Sequence, residues 1–173
     1  MRLEDHIQDI PDFPKPGIVF KDITPLFLDA EALRYTVDTL TEFASEWEID
    51  YVVSAEARGF VLGAAVAVAA GAGFILARKP GKLPRAVSSV EYALEYGVDA
   101  LEVHSDAIRN GARVMVHDDL LATGGTASAL CELVEKAGAE VVGCGFVIEL
   151  AFLNGRERLK GYDVRSLVVV EDE

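Results

Sequence analysis

The apolar positions of this chain change their period along its length, and each change predicts an element. From Ala30 to Trp47 they recur every three or four residues, at Leu33, Val37, Leu40 and Phe43, which describes an amphipathic helix with Asp29 placed to cap it. Tyr51–Val53 is a short apolar run and reads as a buried strand. Ser54–Phe60 ends it and opens a helix of small residues through Ala70, whose alanines allow close approach to a sheet. Phe74–Ala77 predicts a second strand, and Val87–Tyr92 with Ala100–His104 an antiparallel pair. Another apolar run begins at Val114. The helical pattern after it carries Leu130, Leu133, Val134 and Ala137 on one face and stops at Gly138. Val141–Leu150 is nearly continuous apolar sequence, suited to a central strand. A short helix then leads to an edge strand at Ser166–Val170. Strand–helix units in this order predict an α/β fold with a mostly parallel sheet flanked by helices.

The pattern is weaker before Asp29. Leu3–Ile10 predicts a short amphipathic helix; Pro11, Pro14 and Pro16 then exclude regular helix and predict an extended connector. Gly17–Leu26 follows as a strand-like arm. The most apolar stretch, Val61–Leu76, is broken by Gly63, Gly71 and Gly73 and is too short to span a bilayer. A length of 173 residues predicts a single domain, 1–173, with a sizeable core.

Charge narrows the partners. With 16 basic and 29 acidic residues the formal net charge is −13, which argues against nucleic acid and against anionic membrane surfaces. Cys131 and Cys144 both sit in apolar patterns and read as buried reduced thiols. The N-terminus is polar within its first nine residues and shows no signal segment, so the cytoplasm is the expected compartment.

Two stretches carry candidate chemistry. Val114–Thr126 is an apolar strand, two adjacent acids (Asp118, Asp119) and a turn of Ala122, Thr123, Gly124, Gly125 and Thr126 that opens a helix. Such a turn bares backbone N–H groups where anions bind, and two acids hold diol hydroxyls or, through water, Mg2+. A ligand with a phosphate at one end and hydroxyls in the middle fits. No Gly-Lys-Ser/Thr follows, so this is not a Walker A loop. The second stretch, Arg78–Arg85, packs Arg78, Lys79, Lys82 and Arg85 into an acidic protein, either as a solvated turn or as an anion-gathering lid.

Asp118–Thr126 resembles the phosphoribosyl-pyrophosphate (PRPP) motif of the type I phosphoribosyltransferases, and its Leu120-Leu121-Ala122 form most resembles the adenine-specific branch. Gly17–Pro25, Glu56–Phe60, Arg78–Pro84, Leu94–Gly97 and Glu149–Arg156 are similar to further segments of that family. The resemblance implies a type I phosphoribosyltransferase fold with a five-stranded sheet, a small N-terminal hood over the base (1–28) and a flexible catalytic lid (78–99). It implies transfer of phosphoribose from PRPP to adenine, giving AMP and diphosphate with Mg2+, in a homodimer. By the same resemblance Arg58, Arg78, Lys79 and Lys82 approach the diphosphate, Asp118 and Asp119 the ribose, and Ala122–Thr126 the 5′-phosphate. Val19 and Lys21 read adenine by backbone, Phe20 stacks on it, and Glu95 manages its N7/N9 proton. Metal would be held mainly through PRPP and water. Taken by themselves, Phe20 equally suits core packing, Arg58 a salt bridge and Glu95 a solvated loop. Lys21 and Glu56 replace the family's usual Arg and Asp, and His117 also departs from the commonest wording. Hypoxanthine, guanine or xanthine therefore remain alternative bases, and a non-catalytic PRPP-binding regulator an alternative role.

Overall fold

A computed structural model describes residues 1–93 and 97–172. Its centre is a five-stranded, wholly parallel sheet in which β3 (Tyr51–Ala55), β4 (Gly73–Ala77), β7 (Arg113–Leu121), β8 (Glu140–Leu150) and β9 (Val164–Val170) lie in the order β4-β3-β7-β8-β9. Two antiparallel pairs stand outside it: β1 (Gln8–Pro11) with β2 (Val19–Asp22), and β5 (Val87–Ala93) with β6 (Val98–His104). The helices are α1 (Thr24–Leu28), α2 (Ala30–Trp47), α3 (Arg58–Ala70) and α4 (Gly125–Lys136). The expected α/β class, five-stranded sheet and flanking helices are present.

Alternation along the strands divides the core between the two faces of the sheet. Val53, Val114 and Val116 pack toward α4 and the β5–β6 pair, whereas Val52 and Met115 pack toward α2 and α3. Asp29 caps α2, its carboxylate accepting from the Glu31 and Ala32 N–H groups at 2.9 Å. The fully buried stripe of that helix is Ala32, Thr36, Leu40, Ala44 and Trp47; Leu33 and Val37 flank it. Trp47 also explains a glycine in β8, because a Cβ on Gly143 would lie 2.3 Å from the indole.

Two expectations change. Leu3–Ile10 is not one helix: Leu3–His6 is a 3-10 turn, and Gln8–Pro11 pairs antiparallel with β2 through the register Ile10↔Phe20. Strand pairing across the prolines overrides weak local helical periodicity. Two 3-10 turns, Ala151–Leu153 and Gly155–Leu159, stand where one short helix was expected.

Candidate active site

The strand order makes the site. The chain runs from β3 through α3 outward to β4, then returns to place β7 on the other side of β3. Loops leaving the carboxyl ends of β3 and β7 therefore diverge, which opens a crevice between them. A two-lobed cavity occupies it, with volumes of about 210 and 310 Å3, and Arg58, Asp118, Asp119 and Thr126 line both lobes.

Asp118 and Asp119 sit at the junction. Asp119 is 6% exposed and its carboxylate forms an ion pair with Arg58, Oδ2 lying 2.9 Å from Nε. The Asp119 N–H donates to Asp118 Oδ1 at 3.0 Å. Burial, and then the adjacent Asp119 charge, raise the Asp118 carboxyl well above the usual carboxylate range. Gly59 permits this closeness: a Cβ there would lie 2.8 Å from Asp118 Oδ1, so only glycine lets the first turn of α3 meet the acid. Beneath the pair, His117 is fully buried with its Nδ1 2.9 Å from the Gly145 carbonyl. Since that oxygen only accepts, Nδ1 carries the proton. Burial lowers the His117 pKa to about 4, so the imidazole is neutral and adds no charge below the acids.

The smaller lobe is walled by Ala122, Thr123, Gly124, Gly125 and Thr126. Gly124 has φ 84°, a left-handed conformation that glycine adopts freely, and it turns the chain from β7 into α4. The first N–H groups of α4 have no partner within the helix and face this lobe, as an anion site requires. Gly155 packs behind the turn, where a Cβ would lie 2.4 Å from the Ala122 carbonyl oxygen.

The larger lobe is lined by Ala55, Glu56, Ala57, Lys79, Tyr92 and Leu101 besides the shared residues. Glu56 accepts from the Lys79 N–H at 2.7 Å and from Arg78 Nε at 3.2 Å. The Lys79 hydrogen bond and the Arg78 charge hold its carboxyl below the usual range. Lys79 pairs through its ammonium with Asp99, which also accepts from the Tyr92 hydroxyl at 3.3 Å. Arg78 and Lys79 of the basic loop are thus arranged by carboxylates. The sequence reading did not name Glu56, Tyr92, Leu101 or Asp99 as site residues. Glu56 stands within the Glu56–Phe60 motif and was discoverable there, whereas Asp99, Tyr92 and Leu101 depend on the β5–β6 pairing.

The N-terminal arm reaches the site through Arg58, whose guanidinium lies 5.0 Å over the Phe20 ring while its Nε holds Asp119. Arg58 therefore joins the arm to the acid pair. Val19 and Lys21 flank Phe20 on β2, and Lys21 is turned to Asp9 of β1 at 2.7 Å, away from the cavity lining. Lys82 follows Lys79 in a turn, its N–H 3.4 Å from the Lys79 carbonyl, and lines neither lobe. Glu95 lies outside the described residues.

Residues 29–172 match the model of the phosphoribosyl transferase domain family. An adenine phosphoribosyltransferase of Rubrobacter xylanophilus is 58% identical over 171 residues, 98% of this chain and 92% of that one. The solved adenine phosphoribosyltransferase of Thermoanaerobacter pseudethanolicus superposes with a TM-score of 0.94 at 49% identity, covering 97% of this chain and 98% of its own. That of Saccharomyces cerevisiae, solved with D-2,5-dideoxy-2,5-imino-altritol 1,6-bisphosphate and adenine, gives a TM-score of 0.91 at 39% identity, covering 95% and 96%. Likeness of this degree extends over nearly the whole chain, and the chain belongs to the adenine phosphoribosyltransferase family.

Proposed function

We infer that this protein transfers the 5-phosphoribosyl group of PRPP to N9 of adenine, giving AMP and diphosphate, a purine-salvage reaction. The observation that carries the reading is the two-lobed cavity with an acid pair at its junction: one lobe suits a monophosphate, the other a diphosphate, and the acids stand between them.

In this reading Ala122–Thr126 hold the 5′-phosphate and so orient the anomeric carbon. Asp118 and Asp119 hold the ribose hydroxyls and offset the positive charge that develops on the sugar as the C1′–O bond to diphosphate breaks. Arg58, Arg78, Lys79 and Lys82 gather the departing anion. Adenine N9 forms the new bond to C1′, and Glu95 takes the proton that the base releases. Val19, Phe20 and Lys21 hold the base, with Phe20 released from Arg58 to stack on it. The hood (1–28) and lid (78–99) close over one catalytic domain and exclude water, which competes as a nucleophile.

Mg2+ belongs to this reading as a companion of the substrate. Diphosphate oxygens and water would be its main ligands, and Asp118 and Asp119 would take hydrogen bonds from that water. When bound, the ion neutralises leaving-group charge. A homodimer suits the apolar face of α3 and the β4 edge, where Val61, Val68 and Leu76 are exposed. The cytoplasm suits the buried free thiols of Cys131 and Cys144, 3.8 Å apart.

The test is to supply PRPP and Mg2+ with adenine, hypoxanthine, guanine or xanthine and follow nucleotide formation. Adenine is expected to give AMP as the dominant product. Faster reaction with another base overturns the base assignment, and PRPP binding without any turnover overturns catalysis.

A further inference from the structure

Of the cations Arg58, Arg78, Lys79 and Lys82, Arg58 alone lines the lobe walled by Ala122–Thr126, and its Nε is engaged by Asp119. The turn Ala122–Thr126 contains no basic residue, in a chain of net charge −13. A phosphomonoester brings about 1.5 to 2 negative charges into that turn, against only about half a positive charge from a helix N-terminus.

The segment behind the turn carries the missing cation. Gly155 abuts it backbone to backbone: a Cβ on Gly124 would lie 2.5 Å from the Gly155 carbonyl oxygen. Glu149 and Arg156 fix this segment through paired contacts at 2.6 and 2.7 Å. Two residues on, the Arg158 Cβ lies 3.3 Å from the Cβ position of Gly124, and Arg158 Nη1 lies 3.7 Å from that of Gly125. The side chain therefore runs along the outer edge of both glycines, with its guanidinium beside the first residue of α4. Arg58, Arg78, Lys79 and Arg156 each hold a carboxylate, whereas Arg158 is exposed and has no ion pair or hydrogen bond among the described residues. A guanidinium that holds no carboxylate among the described residues, seated beside the N-terminal turn of a helix, has its planar fork of donors available for a phosphate.

We propose that Arg158 is a further phosphate-binding residue of this enzyme, donating from its guanidinium to the 5′-phosphate of PRPP and AMP while the backbone N–H groups of Gly124–Thr126 hold the remaining oxygens. The proposal rests on the phosphoribosyl-transfer reading. It makes the monophosphate lobe a composite of the β7–α4 turn and the segment after β8.

The experiment compares wild type, Arg158→Gln and Arg158→Lys by calorimetric titration with AMP and with adenine, and by steady-state kinetics in PRPP. Arg158→Gln is expected to weaken AMP binding and raise the KM for PRPP by about tenfold, the scale of one charge-assisted hydrogen bond. Adenine affinity should hold and kcat should fall much less than kcat/KM. Arg158→Lys should recover most of the loss, because it restores the charge. AMP binding by Arg158→Gln equal to wild type, or equal weakening of AMP and adenine, overturns the proposal. A wild-type protein that neither binds AMP nor turns adenine over overturns the phosphoribosyl-transfer reading itself, and this role with it.

Discussion

Removal of the Arg156 guanidinium exposes the cost of bracing the β7–α4 turn from behind. Glu149 is 4% exposed. Its carboxylate accepts from Arg156 Nε and Nη2 at 2.6 and 2.7 Å and from the Ser166 hydroxyl at 2.7 Å. Arg156 Nη1 donates in addition to the Val164 carbonyl at 2.9 Å, which ties the segment to β9. Arg156→Ala removes three hydrogen bonds and leaves a buried carboxylate with one hydroxyl donor. Breaking a fully buried pair costs about 3–5 kcal/mol. The Arg156 side chain is 49% exposed, so water reaches one side of this pair and lowers the figure, to about 2–3 kcal/mol. At about 2–4 °C per kcal/mol for a chain of this size, the melting temperature should drop by about 4–12 °C. Glu149→Gln combined with Arg156→Met leaves no buried charge and should recover most of that loss.

Acid supplies a second readout of the same pair. The Arg156 hydrogen bonds, then Ser166 and the Arg156 charge, hold the Glu149 carboxyl below its ordinary 4.5. A depressed folded pKa stabilises the fold above the unfolded value, and that stabilisation is lost as pH falls through the folded one. The gap between wild type and Arg156→Ala should therefore narrow below pH 4.5. Thermal unfolding of wild type, single and double variants at pH 7.5 and in acid measures both effects. A single variant that melts with wild type at pH 7.5, or a gap that persists unchanged into acid, refutes the reasoning.

Asp118→Asn should abolish turnover yet raise the melting temperature at pH 7.5, by on the order of 1 kcal/mol in stability, because the fold strains against ionising that carboxyl. Its raised folded pKa means that ionisation destabilises the fold above the ordinary 3.8, so the gain should shrink as pH falls toward that value; a variant less stable than wild type at pH 7.5 contradicts this. Gly59→Ala places a Cβ 2.8 Å from Asp118 Oδ1 and must displace the acid. Its kcat should fall on the order of 100-fold, and an unchanged kcat would show that the close contact does not matter. Glu95→Gln should lower turnover by about 10²–10⁴ while PRPP affinity, measured by titration, holds; equal loss in both would assign Glu95 to the fold rather than to proton transfer.

The sequence by itself determined the local elements and the chemistry of each loop. Periodicity located α2 and its Asp29 cap, because a helix is written in contacts three and four residues apart. The run from Val114 through Thr126 announced a strand, an acid pair and a glycine turn that opens a helix, because all three are built from neighbours. Its limits appear where partners are distant. Local pattern made Leu3–Ile10 a helix, but Gln8–Pro11 is held by β2 beyond the prolines. The continuous apolar run of β8 marked an interior strand, which it is, but not its place in the order, because burial on both faces looks alike in any interior strand.

Tertiary structure alone decided which charges meet. Nothing in the local pattern joins Arg58 to both Phe20 and Asp119, Lys79 to Asp99, or Arg156 to Glu149 and Val164. Those pairings follow from the reversal of strand order at β3 and from the parallel register of β7, β8 and β9, both set by contacts between segments far apart in the chain. The motifs carry the functional groups, and the sheet fixes the distances and burial that make them a site.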